Sequence, residues 1–398
     1  MRRHPGQAAF VLPSTLMATS VLLVVVVALA AVSRLELRSS TYLGDRERAR
    51  YAAFAGLELA KTRLMAAKGP EFDYGKLAAA GETAIAADAA GVPLHTDALD
   101  LGMAAVRVMV RDECACLPLN LAGRDELAAL PGMRVELADP ILDWRDADDE
   151  PREYGAESDW YNQDASGWPV KNGNFDTLDE LCLVKGFSKR ALTGTDEAPG
   201  LRSYLTVWSM SPEMAPDGKP KLDLRSVTAP ALKTRLGGKL TPAEANAIAA
   251  YAANPGFQRL GQIFAVPGMT RARIAAIVDF LAIGAEPVVA GRVNLNTAGA
   301  EVLAALPGAS AETAAAIIRA REDEGPFQAL SGLVGRAEIP VEALASMIDR
   351  VTVGSLRFGV TADGEAGRAR VRLFAVLDLA EAVPRVVYAS YRRFGEEP

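Results

Sequence analysis

Histidine and cysteine are scarce in this chain of 398 residues, which contains two of the first and three of the second. His4 and His95 are too few for a histidine-based metal site. Three cysteines cannot build a disulfide-rich scaffold. The sequence also lacks the glycine-rich dinucleotide and phosphate-binding motifs and the Gly-x-Ser-x-Gly nucleophile motif. These absences argue against most hydrolase and nucleotide chemistry, and we expect a protein that is not an enzyme.

An excess of positive charge is also missing, because the formal net charge is −7. A generic nucleic-acid binder needs a basic field, so no nucleic-acid partner is expected. The hydrophobic content of 50% and the charged content of 23% are ordinary for a globular protein. The length allows two to four domains.

The N-terminus carries the longest uncharged run, from Ala8 to Val32. As a helix rising about 1.5 Å per residue, this run crosses a ~30 Å hydrocarbon core. It follows a short basic leader, Met1–Gly6, that ends in glycine. We predict a leader at 1–6 and a transmembrane helix at 7–33. An ordinary secretory signal peptide cut near Ala28–Ala31 is the alternative.

The next segment, 34–67, contains no proline and is rich in helix-forming residues. Its apolar residues Ala53, Leu57, Ala60 and Leu64 are spaced four, three and four apart, which is typical of an amphipathic helix. We predict a stem helix that continues the membrane helix to a total length of ~90 Å. Its apolar face should pack on a globular domain.

Strand patterns lie on both sides of a long helical region. Val106, Val108 and Val110 alternate with polar residues, and two further strand candidates are Arg370–Leu379 and Arg385–Arg392. The region between is mostly helical, with one less clear strand candidate at Leu201–Trp208. We therefore predict an α+β fold in which a helical insertion, 114–349, interrupts a small antiparallel sheet formed by 68–113 and 350–398.

The insertion contains internal repeats. Leu119-Asn120 and the following Leu127–Gly132 recur as Leu295-Asn296 and Leu303–Gly308, at a constant offset of 176 residues. A second pattern, Phe-x-x-Leu-x-x-Leu/Ile, begins at Phe175, Phe257 and Phe327. Apolar residues three apart lie on one helical face, so these patterns predict helix packing.

The last copy resembles a helix-hairpin-helix motif, whose hairpin glycines contact phosphate in DNA-binding versions. Gly308 is present, but Ala309-Ser310 follow it, and the segment Asn294–Arg350 has a net charge of −4. A membrane-anchored helix-hairpin-helix DNA-binding protein of a pilus or competence-like system is therefore the alternative function.

An acidic segment, 143–164, combines nine acids with two arginines for a net charge of −7. Such a cluster must be solvated or neutralised, and Ca²⁺ prefers six to eight oxygen ligands. The segment is not an EF-hand, because Pro151 stands where the turning glycine belongs. A solvated acidic loop remains open, as does a two-metal hydrolase site. Interleaved aromatic residues favour an ordered loop.

Several motifs in order resemble the K-type minor pseudopilin family of type II secretion (general secretion pathway protein K). They are Asp112-Glu113, Leu142–Pro151, Gly155–Asp159, Phe175–Leu181 and Asn294–Ala298. The leader resembles the class III signal of type IV pilins. The fifth residue after its cut is Val11 where most of that superfamily has Glu, and the K type characteristically lacks this Glu.

The resemblance implies a pilin-like fold and a minor pseudopilin at the tip of the pseudopilus, which initiates or caps assembly and supports protein export across the outer membrane. It implies cleavage between Gly6 and Gln7 by prepilin peptidase, methylation, and a single-pass anchor in inner-membrane lipid with a periplasmic globular domain. The implied partners are the I- and J-type minor pseudopilins and other pseudopilins.

The resemblance also implies structural Ca²⁺. Carried onto the matching acidic motif, it nominates Asp146, Asp148, Asp149, Glu157 and Asp159 as ligands, with Asp143 in reserve. In an oxidising periplasm Cys182 can pair with Cys114 or Cys116, and we expect Cys116–Cys182.

Overall fold

The computed structural model describes residues 8–67, 94–95, 98–163, 168–195 and 197–393. The leader 1–6, Gln7 and the segment 68–93 lie outside these ranges, and so do the predicted cleavage site and part of the first sheet segment. The helices are α1 (Ala8–Ala67), α2 (Arg124–Ala128), α3 (Val135–Arg145), α4 (Ser158–Gln163), α5 (Lys189–Thr193), α6 (Ala229–Leu236), α7 (Pro242–Ala253), α8 (Arg271–Ile277), α9 (Ala300–Ala304), α10 (Ala311–Asp323), α11 (Leu330–Val334) and α12 (Val341–Met347).

The strands form one main sheet and several short pairs. They are β1 (Leu94–His95), β2 (Leu99–Asp100), β3 (Ala105–Asp112), β4 (Leu117–Pro118), β5 (Gly194–Thr195), β6 (Ala198–Pro199), β7 (Leu205–Thr206), β8 (Met210–Pro212), β9 (Leu222–Asp223), β10 (Leu281–Ala282), β11 (Val288–Ala290), β12 (Val293–Asn294), β13 (Val351–Thr352), β14 (Arg357–Ala366), β15 (Ala369–Asp378) and β16 (Arg385–Arg393). The main sheet has the order β1-β3-β14-β15-β16, with β2 also on β3, and its pairings are antiparallel.

Helix α1 is the predicted stem, continuous over 60 residues. From Leu12 onward its N-terminal part is exposed and apolar, with a window of mean hydropathy 2.6, and the helix is long enough to cross a membrane. Its C-terminal part packs on the sheet through the predicted face, since Ala53, Leu57, Ala60 and Leu64 are all buried. The predicted amphipathic stem is therefore confirmed.

Two glycines allow the close contact between α1 and the sheet. A Cβ on Gly364 of β14 would lie 1.9 Å from the carbonyl oxygen of Ala49. A Cβ on Gly56 of α1 would lie 2.7 Å from Cγ2 of Val106 in β3. Because neither glycine has a Cβ, α1 lies against the backbone of β14 at Gly364, and its own backbone lies against the side chain of Val106 at Gly56.

The helical insertion enters and leaves the sheet between neighbouring strands. Strand β3 ends at Asp112 and β14 begins at Arg357, and Asp112 is paired with Phe358. The other end of β14 lies near the middle of α1, where a Cβ on Gly367 would be 2.2 Å from Oδ2 of Asp45. The insertion therefore lies at the end of the sheet far from the apolar part of α1.

The insertion consists of three similar units, each closed by a short pair of parallel strands. The closing pairs are β4 with β7, β9 with β10, and β12 with β13. The residues of the three Phe-x-x-Leu-x-x-Leu/Ile patterns are all buried, as the helix-packing prediction requires. The units share one large hydrophobic core, whereas the buried residues between α1 and the sheet form a separate one.

The α+β prediction is confirmed, with three differences in detail. The insertion extends to residue 356 rather than 349, because β13 pairs with β12 inside it. The strand candidate Leu201–Trp208 is a 3-10 turn at Leu201–Ser203 followed by the two-residue β7. Strand β14, which lies between β3 and β15, was not singled out from the sequence.

Candidate metal centre

The acidic segment forms an ordered loop between α3 and α4. Trp144 near the end of α3 packs edge-on against Tyr161 of α4, with 5.3 Å between ring centroids. Trp144 also stacks on Phe175 at 6.3 Å. Trp144, Tyr161 and Phe175 are buried. This aromatic cluster brings the two ends of the loop together, as the interleaved aromatic residues indicated.

Three of the five predicted ligands converge on one point. One oxygen from each of Asp146, Asp148 and Glu157 lies within 4.8 Å of the others. Oδ1 of Asp146 and both carboxylate oxygens of Glu157 are buried and have no hydrogen-bond partner among the residues that the structure describes. Buried carboxylate oxygens are normally paired, so these atoms fit a group that carries positive charge.

The electrostatics agree with this arrangement. Burial and the surrounding carboxylates of Asp143, Asp146, Asp149 and Asp148 raise the pKa of Glu157 to about 7. One cation partly compensates, because Nη1 of Arg152 lies 2.5 Å from Oδ2 of Asp146. The donors in this cluster are all oxygen atoms, the ligands that Ca²⁺ prefers.

The other acidic candidates are not among the three converging carboxylates. Asp143 is buried, and its Oδ1 pairs with Nη1 of Arg152 at 2.6 Å, so it orders the loop as the partner of an arginine. Asp149 is exposed, and its Oδ1 accepts a hydrogen bond of 3.2 Å from the backbone N–H of Ser158. Asp159 is exposed in the first turn of α4.

Lys185 supports the loop in a way that sequence reasoning missed. Its Nζ donates hydrogen bonds to the carbonyl oxygens of Tyr154 at 3.2 Å and Gly155 at 2.9 Å. It also lies 5.7 Å from the ring centroid of Trp160. No local pattern marks Lys185, because it is more than twenty residues away in the chain from the residues that it contacts.

The structure does not contain the predicted disulfide between Cys116 and Cys182. All three cysteines are free, with Cys114 and Cys116 buried and Cys182 exposed. Burial raises the pKa of the Cys116 thiol to about 11, although Arg111 acts in the opposite direction. Of the predicted pair, the Cys116 thiol is buried and Cys182 is exposed, and sequence spacing could not indicate this difference.

The part of the chain that carries the cluster is similar to a known protein family. Residues 125–209 match the family model of type II secretion system (T2SS), protein K, first domain. This segment is similar to the type II secretion system protein K family over 125–209. It includes α2 to α5 and the whole acidic loop. The carboxylate cluster therefore lies within the matched segment.

The third unit matches a different model, the helix-hairpin-helix motif, over residues 288–352. Its basic residues are largely engaged inside the protein. Nη1 of Arg321 donates to the carbonyl oxygens of Leu295 and Ala298 at 2.8 Å each. Arg336 pairs with Glu324, and Arg350 with Glu126. The match therefore concerns the helical architecture of the motif. These three arginine side chains bind carbonyl and carboxylate groups of the same chain.

Among solved structures, the chain is similar to one chain of the crystal structure of the GspK-GspI-GspJ complex from the type 2 secretion system of enterotoxigenic Escherichia coli. The identity is 13% and the TM-score 0.40, and the match covers 91% of this chain and 99% of the other. No curated protein matches the chain significantly.

Proposed function

We propose that the chain is a minor pseudopilin that lies at the tip of a type II secretion pseudopilus. There it initiates or caps assembly and so supports protein export across the outer membrane. The observation that carries this proposal is the position of the segment that matches protein K, in an insertion at the end of the sheet far from the apolar part of α1.

The geometry explains why such a subunit would be terminal. Apolar residues along the N-terminal half of α1 are exposed, which suits lateral packing against other apolar stems. The sheet and the insertion, 113–356, together form the globular part of the chain, which we call the head. The insertion extends the head beyond the sheet on the membrane-distal side. A further subunit stacked above would meet this insertion, whereas subunits below would not.

In this role the protein is structural and has no catalytic residues. The apolar segment of α1 anchors it once in inner-membrane lipid, with the head in the periplasm. Prepilin peptidase cleaves between Gly6 and Gln7, after which the new N-terminus is methylated. The I- and J-type minor pseudopilins are the partners of the head and stem.

The same proposal includes a bound Ca²⁺ ion that stabilises the head. An ion bound by Asp146, Asp148 and Glu157 would join the end of α3 to the start of α4 and fix the acidic loop. The buried, unpartnered oxygens of Asp146 and Glu157 support this assignment. When bound, the ion supplies charge neutralisation and no reaction chemistry.

Intact mass and N-terminal sequencing, in cells with and without prepilin peptidase, test the route of maturation. We expect a chain that begins at Gln7 when the peptidase is present and at Met1 when it is absent. A chain that keeps Met1 in both strains, or one cut near Ala30, would contradict the proposal.

Immunogold labelling of the insertion on assembled pseudopili tests the position. We expect label at one end of each filament. Label along the filament length would rule out a terminal subunit. Tight binding of duplex DNA by the full chain at physiological salt would instead favour the helix-hairpin-helix alternative.

A further inference from the structure

Arg152 joins two acidic residues at the loop between α3 and α4. Its Nη1 donates a hydrogen bond to Oδ1 of Asp143 at 2.6 Å and another to Oδ2 of Asp146 at 2.5 Å. The backbone N–H of Arg152 also donates to Oδ2 of Asp143, at 3.1 Å. Both carboxylate oxygens of Asp143 are therefore bonded to Arg152, whereas Asp146 is bonded to it through Oδ2 alone.

The turn that follows Arg152 closes over Asp143. The N–H of Gly155 donates to the carbonyl oxygen of Arg152 at 3.0 Å. A Cβ on Gly155 would lie 1.7 Å from Oδ2 of Asp143, so this close approach requires a residue without a side chain. Asp143 is fully buried, whereas the side chain of Arg152 is 39% exposed. The buried carboxylate therefore anchors the arginine from inside the loop.

This arrangement leaves Oδ1 of Asp146 as the oxygen that is available to an ion. Oδ1 is buried and has no hydrogen-bond partner in the described part of the chain, and the same is true of both carboxylate oxygens of Glu157. Asp146, Asp148 and Glu157 are the residues whose carboxylates converge. Because Oδ2 of Asp146 is held by Arg152, the carboxylate cannot turn freely, and Oδ1 keeps its place in the cluster.

We propose that Arg152 is a positioning residue of the cation site: it holds Asp146 so that Oδ1 is the ligand atom, and Asp143 anchors Arg152 instead of binding the ion. This inference rests on the calcium site of the proposed function. Groups that orient metal ligands in this way change metal affinity about 10–100-fold when they are removed. Electrostatic repulsion alone predicts the opposite sign, because a guanidinium repels a divalent cation bound nearby. The direction of the change in affinity therefore distinguishes the two roles of Arg152.

Calorimetric titration of Ca²⁺ into the full chain, freed of metal with EDTA and held in detergent micelles, is the test. Arg152→Gln should weaken Ca²⁺ binding about 10–100-fold, although it removes a positive charge. Arg152→Lys should recover most of the lost affinity, because one nitrogen atom contacts both carboxylates and an ammonium group can replace it. Arg134→Gln removes an exposed arginine at the other end of α3 and should bind Ca²⁺ as the parent does.

The double variant Asp143→Asn/Arg152→Gln separates anchoring from ion binding, and it leaves neither charge of this pair buried alone. It should bind Ca²⁺ as weakly as Arg152→Gln does, because both substitutions remove the same arrangement. A further loss of affinity would make Asp143 a ligand and overturn the proposal. Thermal unfolding in EDTA checks that each variant is folded, and the double variant replaces Arg152→Gln in the comparison with the parent if the single variant does not fold.

Unchanged or tighter Ca²⁺ binding without Arg152 would also overturn the proposal, and the calcium site itself would stand. Absence of Ca²⁺ binding by the parent chain would instead refute the calcium site of the proposed function, and the inference about Arg152 with it.

Discussion

The carboxylate of Asp112 accepts a hydrogen bond of 2.7 Å from Nδ2 of Asn294, a residue 182 positions later in the chain. Oδ2 of Asp112 also accepts a bond of 2.6 Å from the hydroxyl of Thr297. Asp112 is the last residue of β3, and Asn294 is the last of β12. This buried contact therefore fixes the third unit of the insertion to the strand from which the insertion starts.

Asp112→Ala should destabilise the head by about 3 kcal/mol, because it removes a buried acceptor shared by Asn294, Thr297 and the backbone N–H of Cys114. A urea-unfolding midpoint followed by tryptophan fluorescence measures the effect. Asp323→Ala, at an exposed position of α10, is the control and should change stability by less than about 0.5 kcal/mol. Equal midpoints for the two variants would mean that the contact contributes nothing to stability.

Gly364→Ala should separate α1 from the sheet, since the new Cβ would meet the carbonyl oxygen of Ala49. We expect a loss of about 1–3 kcal/mol from this overpacking. Gly44→Ala is the control, because nothing lies within 4 Å of the position that its Cβ would take on α1. It should stabilise the helix by about 0.5–1 kcal/mol. Thermal unfolding of the two variants should therefore shift in opposite directions, and shifts of the same sign would contradict this account.

Asn120 and Asn296 hold equivalent turns in the first and third units. Each bonds both backbone groups of a phenylalanine: Nδ2 donates to the carbonyl oxygen at 2.9 Å, and Oδ1 accepts from the N–H of Phe175 at 2.8 Å or Phe327 at 2.7 Å. Substituting either asparagine with Ala should cost about 2 kcal/mol.

The exposed Asn246 of α7 supplies the control for both substitutions, and Asn246→Ala should be nearly neutral. Urea midpoints compare the three variants. A large effect at one unit and none at the other would show that the repeated sequence does not serve a repeated structural role.

Calcium should raise the melting temperature of the full chain, and the shift should depend on the three converging carboxylates. Glu157→Gln and Asp146→Asn should each remove most of it. Asp159→Asn should retain it, because Asp159 lies outside the cluster although it belongs to the same acidic segment. Differential scanning fluorimetry with and without Ca²⁺ measures the shifts. A shift that survives Glu157→Gln and disappears in Asp159→Asn would place the ion elsewhere.

Stability without metal should fall as the pH rises from about 4.5 to about 7. The pKa of Glu157 is raised from 4.5 to about 7 in the folded state. The folded protein therefore binds this proton more tightly than the unfolded chain, and that stabilisation is lost as pH rises through the folded-state value. Melting temperatures in EDTA should show the decline, and Glu157→Gln should reduce it. Calcium should stabilise most at the higher pH, where Glu157 is ionised.

The sequence by itself determined the elements whose information is local. An uncharged run predicts the apolar half of α1, and spacings of three and four residues predict its buried face at Ala53, Leu57, Ala60 and Leu64. The repeat offset indicated equivalent positions such as Asn120 and Asn296. These patterns are readable because helix periodicity depends on neighbours a few residues apart.

Only the tertiary structure decided the relationships between distant residues. It selected Asp146, Asp148 and Glu157 from the eight acids of the segment that it describes, left Cys116 unpaired, and joined Asp112 to Asn294. It also placed β14 between β3 and β15. The physical reason is that burial, hydrogen bonding and charge neutralisation depend on which surfaces meet after folding, and composition and spacing do not specify that across the insertion 113–356.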